Sequence, residues 1–368
     1  MGISVNREKP IIYFRADANS HVGNGHIMRC LTIADACMEQ GMQPVFLLAD
    51  DTPQALVRER EYETHVFATD YRDMESELPL YEKVAEPGAV ILADSYFLTM
   101  NYMEQLQRRG YHVAWMDDLG EQSYPADYLI NYNLYAEELD YRKRTQAGIR
   151  YLLGASYAPV RPVFIRNVYR VKQTVQKILI TTGASDPYHA GYLFAEALLN
   201  DDPDWQVTVI CGAYNTDVPK LLKLSEEYGN RLQVMEHLTD LSDVMYESDL
   251  AIAAAGSTLY ELCAVGVPAL VYEFADNQHQ GAEAFSKRTG RRCLGDLRLQ
   301  PKEAAKTACE EAKKLKDHAE RKRISIKMQE LSDGHGAERI AERLKTLTSM
   351  HRNEDENDRT GYAKRKNG

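Results

Sequence analysis

The chain has 368 residues and a formal net charge of −11, and 44% of its residues are hydrophobic. This length exceeds that of most single domains, so we expect two α/β domains with large buried cores, followed by a tail. The acidic balance offers no basic surface for nucleic acid, and an anionic membrane surface would repel it. We therefore expect neither nucleic acid nor membrane as a partner.

Several other classes of protein are disfavoured by the sequence. It contains no run of about 18 apolar residues, and its first ten residues lack the apolar core of a signal peptide, so we expect a cytoplasmic protein. The six cysteines form no C-x-x-C pair, and the ten histidines show no H-E-x-x-H spacing. We therefore expect reduced thiols and no protein-bound metal or other cofactor.

Strand-like and helix-like segments alternate in the first half of the chain. Apolar residues recur at helical spacing over 27–38 and again over 100–109, where Gly110 ends the pattern. We predict strands at 11–17, 44–49, 90–93 and 113–116. This alternation predicts a mostly parallel sheet with helices on both faces.

The alternation stops over 154–164, where two prolines suit a connection between domains, and then resumes. We predict strands at 177–180, 207–211, 250–254 and 269–272 and a charged helical segment from 299 to 347. We therefore place one Rossmann-like α/β domain at 1–158 and a second at 159–347. The polar residues 348–368 are expected to be a disordered tail.

The turn Gly23-Asn24-Gly25-His26 follows the first predicted strand and is the first candidate site. Its glycines let the backbone approach a ligand, and His26 falls at the start of the next helix. The helix dipole disfavours an imidazolium there, so we expect a neutral imidazole that can accept a proton. Alone, such a turn is more often a Gly-rich loop with a capping histidine. Met28 replaces the third glycine of a dinucleotide motif, which argues against hydride transfer.

Acidic residues end several of the predicted strands: Asp17, Asp94, Asp117 and Asp118. Each could cap the following helix or turn, orient His26, or bind sugar hydroxyls. Tyr96 adds a phenol at the same edge of the sheet. Spacing alone does not rank these groups.

Two loops in the second half carry small residues whose backbone N–H groups would suit a diphosphate. One contains Ser185 and Asp186, and Asp186 could instead cap the next helix. The other contains Gly256, Ser257 and Thr258. Neither has the G-K-[ST] of a P-loop, so nucleotide hydrolysis with bound magnesium is not supported.

Side chains near these loops could recognise a nucleoside and a sugar. Glu261 lies three residues after Thr258, a spacing that fits either a capping box or a carboxylate that accepts a ribose diol. Asn277 and Gln278 follow the last predicted strand and offer amide groups to sugar hydroxyls.

Taken in order, these segments resemble the UDP-sugar hydrolases of pseudaminic acid biosynthesis and their relatives in spore coat polysaccharide synthesis. The resemblance covers residues 11–285, and at Thr182 the chain departs from the family's usual G-G-S-D-P loop. The motifs that carry it are R-A-D-A at 15–18, G-N-G-H-I-M-R-C at 23–30, M-D-D-L at 116–119, L-L-G-A-S-Y-A-P-V-R-P-V-F at 152–164, T-T-G-A-S-D-P at 181–187, A-A-G-S-T-L-Y-E-L at 254–262 and A-D-N-Q at 275–278.

This resemblance implies two Rossmann-like domains of the GT-B type with a cleft between them and with UDP held by the second domain. It implies that water replaces UDP at the anomeric carbon of a 2,4-diacetamido-2,4,6-trideoxy sugar, with inversion and without a cofactor, for surface-glycan synthesis. Two helix N-termini would stabilise the departing UDP.

The resemblance also assigns roles to residues. His26 would be the base that activates water, with Asp17 and Tyr96 as further catalytic candidates. The implied substrate-binding residues are Gly25, Arg29, Ser185, Asp186, Gly256, Ser257, Thr258, Glu261, Asn277 and Gln278. Two alternatives remain open at this point: a glycosyltransferase with a sugar or lipid acceptor, and a non-catalytic protein that binds a nucleotide-sugar. The sequence makes no prediction about oligomeric state.

Overall fold

A computed structural model of the chain describes residues 9–19, 21–121, 125–144, 148–236, 238 and 240–349. The chain divides into two compact units. The first unit comprises the described residues within 9–132, 136–159 and 335–349. The second unit consists of residues 133–135 and 160–334.

The first unit is built on a seven-stranded parallel sheet with the order β3-β2-β1-β4-β5-β6-β7. Its strands are β1 (Ile11–Ala16), β2 (Gln43–Leu48), β3 (Glu63–Val66), β4 (Val90–Asp94), β5 (His112–Met116), β6 (Tyr128–Asn131) and β7 (Arg150–Leu153). The strand order reverses between β1 and β4. In a sheet of this kind, ligands bind beyond the carboxyl ends of the strands at that point.

The second unit is built on a five-stranded parallel sheet with the order β10-β9-β8-β11-β12. Its strands are β8 (Lys177–Thr181), β9 (Gln206–Cys211), β10 (Leu232–Glu236), β11 (Leu250–Ala254) and β12 (Ala269–Tyr272). The order reverses between β8 and β11, so the loops after these two strands are neighbours at one edge of the sheet.

Helices connect the strands in both units, as the alternating pattern predicts. The α-helices are α1 (Gly25–Glu39), α2 (Gln54–Arg58), α3 (Leu78–Tyr81), α4 (Met100–Arg108), α5 (Tyr141–Arg144), α6 (Ala190–Asp201), α7 (Val218–Tyr228), α8 (Ser242–Glu247), α9 (Ser257–Val265), α10 (Asp276–Thr289), α11 (Pro301–Lys314), α12 (His318–Leu331) and α13 (336–349). Short 3-10 helices lie at Met74–Glu77, Ala136–Glu138, Ala155–Tyr157, Pro162–Phe164 and Gly229–Arg231. No described helix is long and apolar enough to cross a membrane.

The predicted strands are confirmed, and their composition explains their position. In β4 the run Val90, Ile91, Leu92 and Ala93 is fully buried. A strand covered by helices on both faces has no solvent-facing side, so its sequence is a continuous apolar run instead of an alternating one. All six cysteines are free thiols, and four of them are buried.

Helix α13 belongs to the first unit, although the sequence analysis placed residues up to 347 in the second domain. Hydrogen bonds hold it there: Lys345 Nζ donates to the Gln40 carbonyl at 2.8 Å, and Gln40 Nε2 donates to the Glu338 carbonyl at 2.9 Å. Residues 348 and 349, where we expected the tail to begin, end this helix. The remainder of the predicted tail lies outside the described residues.

A buried ionic network fixes the inner face of β1. Arg15 is fully buried, and its Nε lies 2.8 Å from Glu77 Oε1 while its Nη1 lies 2.5 Å from Asp17 Oδ2. Tyr102 Oη donates to the same Glu77 oxygen at 2.6 Å. Charges removed from water require such partners, so this network ties β1 to the Met74–Glu77 turn and to α4.

Candidate active site

The turn that carries His26 is shaped by its own side chains and glycines. Asn19 Oδ1 accepts hydrogen bonds from the backbone N–H groups of His21 and Val22, both at 2.9 Å. Gly23 has a φ of +75°, a conformation that L side chains rarely adopt. Apart from the neighbouring residues and the backbone of its own helix, no described atom lies within 4 Å of the position that a Cβ at Gly25 would occupy. The backbone at the start of α1 is therefore open to a close ligand.

His26 is 5% exposed and lies beside Asp94, the last residue of β4. The His26 Nδ1 to Asp94 Oδ1 distance is 2.6 Å. Burial by itself raises the pKa of Asp94, but the Arg29 guanidinium and His26 hold that pKa well below its usual range. Asp94 is therefore ionised and can only accept hydrogen bonds, which assigns the hydrogen to Nδ1 of His26. In a neutral imidazole this leaves Nε2 free to accept a proton.

Arg29 lies one helical turn after His26 and joins two carboxylates. Its Nε and Nη2 each donate to Asp94 at 2.6 Å, and its Nη1 and Nη2 donate to Asp118 at 2.8 and 3.0 Å. Nη1 also donates to Tyr132 Oη at 3.1 Å. A guanidinium has five N–H donors, and these contacts use all five. Arg29 Nη2 lies 3.2 Å from His26 Nδ1 as well, but the shorter carboxylate contact is the one that assigns the Nδ1 hydrogen.

The predicted contact of Arg29 with substrate stays a prediction. In this structure all five of its N–H donors contact protein side chains, and the guanidinium holds Asp94 and Asp118 in place. Bidentate pairs of this kind fix geometry as well as charge. We therefore describe Arg29 as a positioning residue.

Tyr96 joins the site as the sequence suggested. Its ring meets the His26 ring edge-on with centroids 4.5 Å apart, and its Oη donates to Asp118 Oδ2 at 3.2 Å. The residue is 54% exposed, so the phenol lies at the rim of the site. Burial of part of the ring, and then the neighbouring Asp118 charge, raise the pKa of Tyr96, so it remains a neutral hydrogen-bond donor.

Asp117 has a structural role. Its carboxylate accepts hydrogen bonds from the Leu119 and Gly120 backbone N–H groups at 3.1 and 2.9 Å and from Tyr141 Oη at 2.5 Å. These bonds close the turn after β5. Asp117 thereby sets the backbone from which Asp118 reaches Arg29.

Asp17, one of the predicted catalytic residues, is engaged elsewhere. Its Oδ2 pairs with Arg15, and its Oδ1 accepts from the Ala49 backbone N–H at 2.9 Å. The sheet register explains the difference, since Ala16 of β1 is aligned with Asp94 of β4. Side chains alternate between the faces of a sheet, so Asp17 points to the face opposite that of Asp94 and shares the face of Arg15. Of the acids that the sequence left open for this role, Asp94 is the one that contacts His26, and a catalytic role for Asp17 stays a prediction.

These side chains surround a cavity of about 260 Å³ within the first unit. The cavity is lined by His26, Arg29, Asp94, Ser95, Tyr96, Leu98, Trp115, Met116, Asp117, Asp118, Leu119 and Glu121. Four lining carboxyl groups face one guanidinium, so the cavity favours neutral hydrogen-bond donors over anions. Among the described residues, no group of three or more His, Cys, Asp or Glu side chains is arranged to hold a metal ion.

The second unit brings three of its loops together, because β8, β11 and β12 are adjacent strands. The loop after β8 carries Ser185, which is exposed, and Gly183, with a φ of +74°. The loop after β11 carries Gly256, and α10 begins after β12. The predicted substrate-binding residues of the second half thus share one edge of this sheet.

Asp186 caps α6. Its Oδ1 accepts from the Ala190 N–H at 2.7 Å, and its Oδ2 accepts from the Gly191 N–H at 2.9 Å. The two backbone donors at this helix start are therefore satisfied by a carboxylate, which would also repel a phosphate. Asp186 thus acts as a cap of α6, one of the two roles that the sequence left open, and its predicted contact with substrate stays a prediction.

Helix α9 begins differently. Its N-cap is Gly256, and no described side chain caps it. Because Gly256 is the N-cap, the Thr258–Glu261 capping box is not formed. The backbone N–H groups of Ser257 and Thr258 form the first turn, with both hydroxyls beside them. An uncapped helix N-terminus with adjacent hydroxyls is a favourable site for an anion.

Glu261 lies on the same face of α9 as Ser257, one turn further along. Arg161 Nη2 lies 3.5 Å from Glu261 Oε1. Burial raises the pKa of Glu261 to about 7, while the Arg161 charge acts in the opposite direction. The Glu261 side chain is 20% exposed, so its carboxyl group is a partly buried acceptor.

Asn277 and Gln278 lie in the first turn of α10. Gln278 Oε1 accepts from the Phe274 backbone N–H at 2.9 Å, so its oxygen is engaged by protein. Asn277 is exposed beside it. Asn277 therefore offers a whole amide to a ligand, and Gln278 offers its NH₂ group.

The chain is similar to several known proteins. Residues 174–344 match the family model described as the glycosyltransferase family 28 C-terminal domain. This match covers most of the second unit. It includes the α9 start, Glu261 and the first turn of α10.

Distant relatives match a larger part of the chain. It is 22% identical to the spore coat polysaccharide biosynthesis protein SpsG of Bacillus subtilis, over 78% of this chain and 84% of the relative. It is 22% identical to the UDP-2,4-diacetamido-2,4,6-trideoxy-beta-L-altropyranose hydrolase of Campylobacter jejuni, over 75% of this chain and 96% of the relative. It also matches the uncharacterized protein MJ1062 of Methanocaldococcus jannaschii at 22% identity, but spans only 59% of that protein's length.

Solved structures define the fold. The crystal structure of Acinetobacter baumannii MurG superposes with a TM-score of 0.65 at 13% identity, covering 92% of this chain and all of MurG. Both units have the parallel α/β architecture of GT-B glycosyltransferases. The predicted fold class is confirmed.

Proposed function

We propose that the protein hydrolyses a UDP-linked deoxyamino sugar at its anomeric C–O bond, releasing UDP and the free sugar. The observation that carries this proposal is the buried His26–Asp94 pair at the point where the strand order of the first sheet reverses. An imidazole whose Nδ1–H is held by a carboxylate is arranged as a general base at Nε2. The Campylobacter jejuni relative is named as a hydrolase of a UDP-linked 2,4-diacetamido-2,4,6-trideoxy sugar, which supports this proposal.

The proposed reaction is a displacement by water. The water oxygen forms a bond to the anomeric carbon while the bond from that carbon to the diphosphate oxygen breaks, and its electron pair leaves with UDP. Nε2 of His26 takes the proton of the water, and Asp94 stabilises the imidazolium through Nδ1. A single displacement inverts the anomeric configuration.

The acidic cavity of the first unit suits the sugar. Asp118, Tyr96 and Glu121 lie among its polar lining groups, and carboxylates accept hydrogen bonds from sugar hydroxyls and from the N–H of an acylated amine. We assign the UDP portion to the second unit, whose uncapped α9 start would receive the diphosphate and whose Glu261 would accept the ribose hydroxyls. Ser185, Asn277 and Gln278 would complete these contacts.

A glycosyltransferase is the second candidate, favoured by the match of residues 174–344 to the family 28 domain. It would use the same base to deprotonate an acceptor hydroxyl. The first experiment therefore incubates the purified protein with the UDP-sugar and no acceptor, and follows UDP release. Release at a steady rate supports hydrolysis, and release only on addition of an acceptor supports the transferase.

A variant pair tests the base itself. His26→Ala should retain UDP affinity while turnover falls roughly 10²- to 10⁴-fold, the usual size of general-base assistance. His21→Ala is the matched control, since His21 is exposed and lies in the same turn. Unchanged turnover in His26→Ala would overturn the proposal. UDP binding without turnover in the unaltered protein would indicate the third alternative, a non-catalytic binding protein.

A further inference from the structure

Arg161 and Glu261 form an ion pair that the proposed reaction does not use directly. The Arg161 Nη2 to Glu261 Oε1 distance is 3.5 Å, which is long for a charge-assisted hydrogen bond. The two side chains are 23% and 20% exposed, so both are largely removed from water. A long contact between two shielded groups leaves the carboxylate with capacity to accept further hydrogen bonds.

The position of Arg161 is set by an aromatic ring. Its guanidinium carbon lies 4.9 Å from the centre of the Phe164 ring, and Phe164 is fully buried in the 3-10 turn that follows. Stacking on a fixed ring restricts the guanidinium without using its hydrogen-bond donors. The charge is thereby held beside α9 by the connecting segment of the second unit.

Among the described residues, two charged side chains act on the pKa of Glu261. Arg161 favours the ionised carboxylate, while Asp240 opposes it. Burial raises the pKa of Asp240, but hydrogen bonds from Ser242 and the charges of Arg166 and Arg161 outweigh it and lower that pKa. The Asp240 carboxylate accepts the Ser242 N–H at 2.8 Å. Of these groups, Arg161 is the one whose side chain contacts Glu261 directly.

We propose that Arg161 is a positioning residue for nucleotide recognition, holding Glu261 ionised and oriented so that the site selects ribonucleotides over 2′-deoxyribonucleotides. This inference rests on the proposed function, in which Glu261 accepts the ribose hydroxyls. A carboxylate that accepts from a vicinal diol loses one charge-assisted hydrogen bond when the 2′-hydroxyl is absent. Arg161 acts through Glu261 and does not itself contact the ribose in this account.

The test compares UDP with 2′-deoxy-UDP by isothermal titration calorimetry at pH 6 and pH 8. For the unaltered protein we expect UDP to bind roughly 10- to 100-fold more tightly than 2′-deoxy-UDP at pH 8. Because the pKa of Glu261 is raised to about 7, that ratio should fall at pH 6, where the carboxyl group is largely protonated.

Three variants separate positioning from a general structural effect. Arg161→Met keeps an apolar stem on Phe164 but removes the charge, so the UDP to 2′-deoxy-UDP ratio should fall to within about threefold of unity at pH 8, mainly through weaker UDP binding. Arg161→Lys keeps the charge and should retain part of the preference. Arg170→Met removes an exposed arginine from the same segment that is not among the charges acting on Glu261 or Asp240, and it should leave the ratio unchanged.

The possible outcomes separate a failure of this inference from a failure of the proposed function. Equal affinities for UDP and 2′-deoxy-UDP in the unaltered protein would overturn this inference while leaving the proposed function standing. So would an Arg161→Met protein that keeps the full preference at both pH values. If Arg161→Met does not fold, the pH dependence of the ratio in the unaltered and Arg161→Lys proteins decides the matter. Absence of UDP binding in the unaltered protein would overturn the proposed function, and the inference with it.

Discussion

Nδ1 of His26 lies 2.6 Å from Oδ1 of Asp94, and this contact determines which imidazole nitrogen can accept a proton. Arg29 donates two hydrogen bonds to the same carboxylate, so Asp94 is held from two directions. The base, its orienting carboxylate and the cation that fixes the carboxylate therefore form one unit. Its parts can be tested separately.

Asp94→Asn tests the orienting carboxylate. An asparagine can present its NH₂ group to Nδ1 and so favour the tautomer with the hydrogen on Nε2, which cannot accept a proton from water. We expect kcat to fall roughly 10²- to 10⁴-fold with a much smaller change in KM. Steady-state kinetics on the UDP-sugar measures this, and an unchanged kcat would contradict the role given to Asp94.

Asp17→Asn is the complementary variant, since Asp17 also follows a strand of the first sheet but pairs with Arg15. Removing one charge from this buried network should lower the free energy of unfolding by about 1–3 kcal/mol, because Glu77 still pairs with Arg15. Denaturant unfolding measures the loss. The kcat of the folded fraction should be retained, and a loss of kcat as large as that of Asp94→Asn would return Asp17 to the catalytic group.

Asp186→Ala tests the assignment of Asp186 as a helix cap. Its carboxylate accepts from two backbone N–H groups at the start of α6, so its removal should destabilise the protein by about 0.5–2 kcal/mol. UDP affinity should not fall, because the lost group is an anion near the proposed phosphate site. Thr258→Ala serves as the contrast and should weaken UDP binding with little change in stability. A large loss of UDP affinity in Asp186→Ala would show that Asp186 contacts the ligand.

Glu261 predicts a pH dependence of stability. Burial raises its pKa to about 7 in the folded chain, compared with an ordinary value of 4.5. Between about pH 4.5 and pH 7, the folded state therefore keeps a proton on Glu261 that the unfolded state has released. The contribution of this group to folding stability is fully present below about pH 4.5 and is lost as the pH rises through about 7. The loss is roughly 3 kcal/mol when complete.

The matching variant is Glu261→Gln, which has no proton to release. Relative to the unaltered protein, it should gain stability between pH 5 and pH 8 in denaturant unfolding experiments. Glu310→Gln, at an exposed position on α11, is the control and should show no such relative gain. If the difference in unfolding free energy between the unaltered and Glu261→Gln proteins does not change with pH, the raised pKa assigned to Glu261 is wrong.

Much of the fold could be predicted from local sequence patterns. Continuous apolar runs such as 90–93 indicate strands that are buried on both faces, and the acids that follow them mark the carboxyl edge of the sheet. What could not be predicted was the assignment of α13 to the first unit, because residues 336–349 are helical in either arrangement. Long-range contacts such as Lys345 with Gln40 decide it.

The candidate site was only partly predictable for a related reason. Asp17 and Asp94 both end predicted strands, and spacing cannot tell which of them faces His26. Strand order and register decide this, since Ala16 is aligned with Asp94 and Asp17 lies one residue further on. The spacing of His26 and Arg29 on one helix face was an available signal for their contact. No pattern in the sequence indicated that Tyr132 would contact Arg29.

The most direct measurement of the central claim is isotope placement during turnover in H₂¹⁸O. The protein is incubated with a UDP-linked 2,4-diacetamido-2,4,6-trideoxy sugar and no acceptor, and both products are analysed by mass spectrometry and NMR. Attack by His26-activated water at the anomeric carbon predicts ¹⁸O in the sugar hydroxyl at that carbon, an inverted anomer as the first product, and unlabelled UDP. Label in the phosphate of UDP, or no product until an acceptor is added, would contradict the account.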